Sequence, residues 1–399
     1  MTIEVPDDYT YLDWAATAPL SEEAAQAMAP FLVGGPANLA LGMNANSLHA
    51  PGRAAFEAME QARRQIARDL GCSRPSEIVF TSGATEADNM ALFGIAHAVQ
   101  AQRRKRDGAD ARYRIVSTAI EHEAVLEPLH ALAREGFDVV LLKPTRQGFV
   151  QPEALAEALT PETILVSVQA ANSEVGTVHD IKAMAALAHE AGALFHTDAT
   201  QALGKMPLSM GDLSVDAASF SAHKIGGPKG VGALYLKART PFEAQLLGGG
   251  QEDGRRSTTQ NVCGIAGFAA ALSVAVEGEQ AESARQRALR DKLYDHLRSM
   301  KRIRPTIDVP AGSIDHLPNI VHGVAKGYES ETFVLQLDRA GFGVSGGSAC
   351  SSHSLEPSRV LKEMGLSADE AYGALRVSVG RYTTEADIER FVKALEACL

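Results

Sequence analysis

The chain has no excess of positive charge. It carries 38 Lys and Arg against 49 Asp and Glu, a net charge of −11. That argues against a phosphate-backbone binder, whose footprint is basic. The one basic run, Arg103-Arg104-Lys105-Arg106, follows an apolar-periodic segment and reads as the cationic end of a helix. The acidic N-terminus, Met1 to Asp8, has no apolar core, so no signal peptide is expected. Long hydrophobic runs are also missing. Gly264 to Val276 is the most apolar stretch, too short to span a bilayer, and reads as a core helix. Four cysteines (Cys72, Cys263, Cys350, Cys398) lie far apart without a C-x-x-C pair. This argues against a disulfide scaffold and a zinc site. A cytoplasmic, reduced protein is expected, and it can keep a working thiol. No repeat or low-complexity segment is present.

The remaining composition, 45% hydrophobic and 22% charged over 399 residues, is that of a soluble globular protein with two domains. Between about residues 60 and 240, strand-like and helix-like pieces alternate. Strands are expected at 77–80, 113–117, 139–142, 163–169, 193–196, 217–221 and 232–236. Helices are expected at 86–99, 124–135 and 181–191. This alternation predicts an α/β domain with a mostly parallel sheet and a ligand at the carboxyl ends of its strands. Beyond residue 260 the pattern changes to a long helical region over 266–300, short strands near 319–321 and 375–379, and a final helix over 385–395. That reads as a smaller α+β domain, which the stretch from Asp13 to Leu20 joins or bridges.

Several motifs sit at the predicted strand ends. Lys224, in Ser221-Ala222-His223-Lys224, follows a buried strand, where an amine has a depressed pKa and can bond covalently to a carbonyl. Lys229 is its rival, in a Gly-Pro turn. Thr81-Ser82-Gly83-Ala84-Thr85 turns from strand to helix and offers free N–H groups to an anion, although a plain threonine cap has the same text. Asp198, in Asp198-Ala199-Thr200-Gln201, can pair with a protonated ring nitrogen or cap the next helix. Gln201 is near enough to reach a ring hydroxyl. His122 follows a strand and can stack on a ring or carry protons. Ser221 and His223 can turn towards a phosphate. Arg376, inside an apolar strand, needs an anion: a substrate carboxylate or a structural acid. Cys350 lies in Gly343 to Ser354, a glycine- and serine-rich stretch from which no core could be built. A thiol there suits reaction better than packing. Taken together, these are the parts of a pyridoxal phosphate site.

The same residues carry a family resemblance over nearly the whole chain, from Tyr11-Leu12-Asp13 to Gly380-Arg381-Tyr382. The chain resembles the cysteine desulfurases of the class V aminotransferase family, within the fold-type I pyridoxal phosphate enzymes. Ser348-Ala349-Cys350 followed by Leu355-Glu356-Pro357-Ser358 resembles the Nif/Isc-like group I branch. The resemblance implies a large cofactor domain (15–260) with a mostly parallel seven-stranded sheet. A small α+β domain (1–14 and 261–399) would carry the cysteine loop. It implies that Lys224 holds pyridoxal 5'-phosphate, with Ala84, Thr85, Ser221 and His223 on the phosphate. Asp198 and Gln201 would address the ring, and His122 would stack on it. Thr259 matches a threonine that reaches the phosphate of the neighbouring subunit in a homodimer. Arg376 and Asn44 would bind the substrate carboxylate, and Cys350 would accept the sulfur. Asn172-Ser173-Glu174 replaces the family's Asn-Asn-Glu, so either Asn172 or Ser173 takes that cofactor contact, or the contact is weakened.

The activity implied is removal of sulfur from L-cysteine. It gives L-alanine and a persulfide on Cys350, which passes to an acceptor protein such as an iron–sulfur scaffold or a thiolation enzyme. No resident metal is implied, although Cys350 can ligate a transferred cluster. Neither nucleic acid nor membrane is an expected partner. A selenocysteine lyase or another class V lyase or aminotransferase shares Lys224 and Asp198 but has no need of the thiol. A non-catalytic sulfur-relay adaptor would have no use for either.

Overall fold

Thr163–Ser167, Ala217–Ser221 and Gly232–Leu236 are buried at every position. Such runs suit strands covered on both faces. The computed structural model describes residues 5–107, 112–347 and 357–399. In chain order its strands are β1 (Thr10–Tyr11), β2 (Ile78–Thr81), β3 (Arg114–Thr118), β4 (Asp138–Leu142), β5 (Thr163–Ser167), β6 (Leu194–Asp198), β7 (Ala217–Ser221), β8 (Gly232–Leu236), β9 (Ile303–Pro305), β10 (Ile320–Ala325), β11 (Phe342–Gly343) and β12 (Ala374–Ser378). Seven form one sheet in the order β2-β8-β7-β6-β5-β3-β4. Only β8 runs against its neighbours; the other pairs are parallel.

Both faces of this sheet are covered. Val79, Ile115, Leu165 and Ala217 meet the helices Ala84–Asp107 and Glu123–Arg134 on one face. Phe80, Val116, Phe195 and Phe220 join the larger core on the other, with Ala50–Asp69, Ile181–Glu190 and Val262–Glu277. Because β2 and β7 are both antiparallel to β8, their carboxyl ends emerge with those of β3, β5 and β6. That shared edge is where ligands of such sheets sit.

Beyond residue 300 a second, antiparallel sheet has the order β12-β10-β9. Helices Glu279–Ser299, Ser330–Arg339 and Glu385–Cys398 pack around it. The N-terminus crosses to this side: β1 pairs in parallel with β11, and Ala15 N donates to Ser378 Oγ. The helical region expected over 266–300 is two helices, Val262–Glu277 and Glu279–Ser299, meeting at 72°. Gly278 ends the first and starts the second. Among the described residues no single helix is long and apolar enough to cross a membrane.

Candidate active site

Each loop at the shared edge delivers one kind of group. After β2, Ser82 and Gly83 lead into the helix Ala84–Asp107. Glu86 folds back to accept from Ser82 N at 2.7 Å, and Arg256 clamps its carboxylate at 2.6 and 2.9 Å. This fixes the helix start, where N–H groups and the helix dipole favour an anion. After β3, His122 caps the helix Glu123–Arg134; its Nδ1 accepts from Ala124 N at 3.1 Å. A neutral ring held this way carries its proton on Nε2. Asp198 closes β6, and its Oδ1 accepts from Thr200 N at 2.9 Å. β7 ends at Ser221, and Lys224 sits in the 3₁₀ turn that follows, Ala222–Ile225. Gly226 leaves that turn at φ 81°, a conformation suited to glycine. Lys224 Nζ donates to Ala15 O at 2.6 Å and Ala16 O at 2.8 Å. Gln201 Nε2 donates to the same Ala15 O at 2.9 Å. The N-terminal stretch thus ties Lys224 and Gln201 together through one carbonyl.

These groups surround a cavity of about 470 Å³. Ala84, Thr85, His122, Ser173, Asp198, Gln201, Ser221, His223, Lys224 and Arg376 all line it. Exposed Lys229 reaches it too. Other candidates lie elsewhere. Asn172 is spent on its own loop: Nδ2 donates to Ile120 O, and Oδ1 accepts from Glu174 N and Val175 N. Of the two alternatives, Ser173 is on the wall. Asn44 is exposed outside the cavity, with Oδ1 accepting from Asn46 N. Thr259 is likewise exposed and away from it. Cys350 lies outside the described residues.

Arg376 is 2% exposed and meets one of the alternatives left open for it, the structural acid. Its Nη2 pairs with Asp13 at 2.8 Å, and Nη1 donates to Ser173 O at 2.9 Å. Nε is buried and makes no hydrogen bond. A structural acid therefore takes part of the guanidinium, and the rest is unspent at the cavity wall.

Sequence reading missed a second layer of acids. Asp88 lines the cavity and is fully buried in the helix Ala84–Asp107. Burial and the nearby Asp198 and Glu121 push its carboxyl well above the usual range. His196 Nε2 is 3.6 Å from Asp88 Oδ1 and bonds Ser219 Oγ at 3.0 Å. Glu121 accepts from Thr118 Oγ1 and Gln169 N, and burial pushes it up to about 8. Protonated acids let several carboxyls share one dry region without mutual repulsion. His223 is held down to about 4 by burial and by Lys224, Lys229 and Lys205. At neutral pH it is an uncharged hydrogen-bonding group, bonded to Thr17 Oγ1 at 3.1 Å.

The lining suits pyridoxal phosphate. Thr200 Oγ1, Gln201 Oε1 and Arg376 Nε are buried without hydrogen-bond partners, which is costly unless a ligand or water pairs them. A carboxylate, an amine and a helix N-terminus face one space, matching a heteroaromatic nitrogen, a carbonyl carbon and a phosphate.

Comparison with known proteins agrees with this geometry. The family model described as aminotransferase class-V matches residues 10–391. A cysteine desulfurase IscS of Dictyoglomus turgidum is 40% identical over 386 residues, covering 97% of this chain and 93% of its own. One from Serratia proteamaculans is 41% identical, covering 95% and 90%. Among solved structures, a NifS-like protein superposes with a TM-score of 0.87 at 35% identity, covering 98% of each chain. SspA in complex with cysteine gives 0.77 at 31%, covering 94% of this chain and 100% of its own.

Proposed function

The chain belongs to the class-V aminotransferase family and is a pyridoxal phosphate-dependent cysteine desulfurase, and we propose that Lys224 holds the cofactor while Cys350 takes the sulfur. The observation carrying this reading is the convergence of Lys224, Asp198 and Arg376 on one cavity. When bound, pyridoxal phosphate supplies an electron sink for the substrate. Asp198 would pair with the ring nitrogen and Gln201 with the ring hydroxyl. Ala84, Thr85, Ser221 and His223 would hold the phosphate, and His122 would stack against the ring. Arg376 binds the L-cysteine carboxylate with the edge that Asp13 leaves unspent. Lys224 Nζ takes the proton from the substrate Cα, and His122 Nε2 carries the proton of the substrate thiol.

The thiolate of Cys350 then attacks the substrate sulfur. A sulfur–sulfur bond forms and the Cβ–sulfur bond breaks. Its electron pair goes to Cβ, which gains the proton that His122 took from the thiol; Lys224 returns the Cα proton, so L-alanine leaves and a persulfide remains on Cys350. The described residues flanking this cysteine support that role. Ser345 pairs with Arg376 through both backbone groups, at 3.2 and 2.7 Å. Ser358 Oγ donates to buried Glu174 at 2.5 Å. Arg359 donates to Glu121 O at 2.5 Å and also to Ala119 O. The anchors thus hold to Arg376, which lines the cavity, and to the chain neighbours of Ser173 and His122, which also line it. Gly347 is three residues before Cys350, a reach of at most about 11 Å.

The proposal extends to a homodimer in a reducing, cytoplasmic setting. Exposed Thr259 would there reach the neighbouring subunit's phosphate. Asn44 would complete the carboxylate site only on assembly or closure. The sulfur acceptor is a second protein, an iron–sulfur scaffold or a thiolation enzyme. The test is Cys350→Ala with L-cysteine added. The variant is expected to keep the colour of the lysine-bound cofactor and to show no persulfide by mass spectrometry. Undiminished sulfur transfer to an acceptor by that variant would remove Cys350 from the mechanism.

A further inference from the structure

A second cavity, of about 400 Å³, lies behind Lys224. Helices Val262–Glu277 and Glu279–Ser299 wall it on one side, and Val379–Tyr382 close it on the other. Ala271, Val274 and Ala275 make much of its surface apolar. Against that lining stand three polar side chains, each at least nine-tenths buried: Lys205, Gln286 and Asn319. Neither Oδ1 nor Nδ2 of Asn319 has a hydrogen-bond partner. Gln286 Nε2 donates to Glu282 at 2.6 Å, while its Oε1 is unpartnered. Lys205 Nζ makes one long bond, to Gln201 O at 3.3 Å. No carboxylate pairs with it among the described residues. Two other cations of this cavity, Arg285 and Arg381, are already paired, and Lys224 donates to the carbonyls of Ala15 and Ala16. Arg285 holds Glu282 and the carbonyls of Thr383 and Gly380, and Arg381 pairs with Glu23.

Unpaired buried groups on a cavity wall define what fits them. Lys205 calls for an acceptor, an anion above all, since among the described residues its buried Nζ makes only the long bond to Gln201 O and meets no carboxylate. Gln286 Oε1 and Asn319 Oδ1 each call for a donor, and Asn319 Nδ2 calls for an acceptor. The volume is that of a small-ligand site. We propose that this cavity is a second binding site, for a small α-hydroxy or α-amino carboxylate held between the Lys205 amine and the Asn319 and Gln286 amides. The same cavity touches Lys224 from behind. Gln201, whose backbone carbonyl accepts the hydrogen bond from Lys205, shares Ala15 O with Lys224. A ligand there is therefore one residue from the first site. This inference does not depend on which residue receives sulfur.

L-lactate is the probe, because it lacks the amine needed to react with the cofactor. Titration of the holoenzyme by calorimetry is expected to show saturable binding. Arg376→Met, which removes a carboxylate site in the first cavity, is expected to retain it. Lys205→Met and Asn319→Leu are each expected to weaken it at least tenfold. Acetate, which lacks the donor, is also expected to bind at least tenfold more weakly. Lys205→Met removes a buried amine without opening a hole, so its fold is expected to persist, as circular dichroism will check. The proposal is overturned if the wild type shows no saturable binding, meaning the cavity holds water alone. It is equally overturned if Arg376→Met abolishes the signal while Lys205→Met keeps it. Acetate binding as tightly as lactate would refute the part given to the two amides.

Discussion

Two buried arginines show what separates scaffold from site in this chain. Arg63 is saturated. Its Nε donates to Glu60 at 2.8 Å, Nη1 to Ile78 O at 2.6 Å, and both Nη groups to Glu252 at 2.7 and 3.0 Å. Its guanidinium also lies 4.5 Å over the Phe80 ring. Glu252 accepts in addition from Phe80 N at 3.0 Å and is held at φ 52°, a strained backbone that the surrounding bonds over-determine. Arg376, equally buried, has one acid, one carbonyl and an idle Nε. A cation with every nitrogen matched locks a sheet edge to its neighbour. One with a donor left over on a cavity wall can still meet an anion there, as proposed for the substrate carboxylate.

The sharpest way to break this contrast is Arg63→Met. Glu252, with a 1% exposed side chain, would be left as an uncompensated buried charge. A loss of about 3–5 kcal/mol is expected in urea unfolding. Adding Glu252→Gln is expected to restore part of it. The cofactor absorbance per folded molecule should not change.

Arg376→Met should do the reverse. Removing charge-assisted bonds to the substrate carboxylate is expected to lower kcat/KM for L-cysteine by about 2–3 kcal/mol, roughly 30- to 150-fold. The loss of stability should be smaller than for Arg63→Met, since Asp13 reaches solvent. If Arg376→Met unfolds as readily as Arg63→Met with KM unchanged, the Asp13 pair is the whole of its role.

A smaller effect is expected at Glu121. Burial raises its folded pKa to about 8, above the ordinary carboxylate value in the unfolded chain. The folded state then holds the extra proton between about pH 4.5 and 8, so stability falls as pH rises through that window. Glu121→Gln keeps the bonds from Thr118 and Gln169 and loses the titration. It is expected to gain about 1–2 kcal/mol above pH 8 and nearly nothing at pH 5. Equal gains at both pH values would show that its charge is not what costs stability.

Much of the fold was legible because buried strands in a parallel sheet read as apolar runs ending in small polar residues. The strands Ala217–Ser221 and Gly232–Leu236 appear at the limits expected of them. The helix Ala50–Asp69 was not singled out. Its core face is built largely from Ala55, Met59, Ala62 and Ile66, with Arg63 buried beside them, so its apolar signal is weak. The bend at Gly278 was hidden because acids flank that glycine and the helical text continues past it. Within the site, groups that follow a strand in sequence were found, since local text places them at the sheet edge. Groups placed by tertiary approach were not. Asp13 meets Arg376 across 363 residues. Asp88 and Glu121 look like ordinary surface acids until helix and sheet close over them. The cavity behind Lys224 has no sequence signature, because Lys205, Gln286 and Asn319 belong to three separate segments.

The most direct test is to reduce the holoenzyme with borohydride and map the pyridoxyl group by peptide mass spectrometry. Two other lysines compete: exposed Lys229 on the first cavity and Lys205, whose amine burial brings to about 7. The label is predicted on Lys224 alone. A label on Lys205 or Lys229, with Lys224 unmodified, would contradict the assignment of the reacting amine.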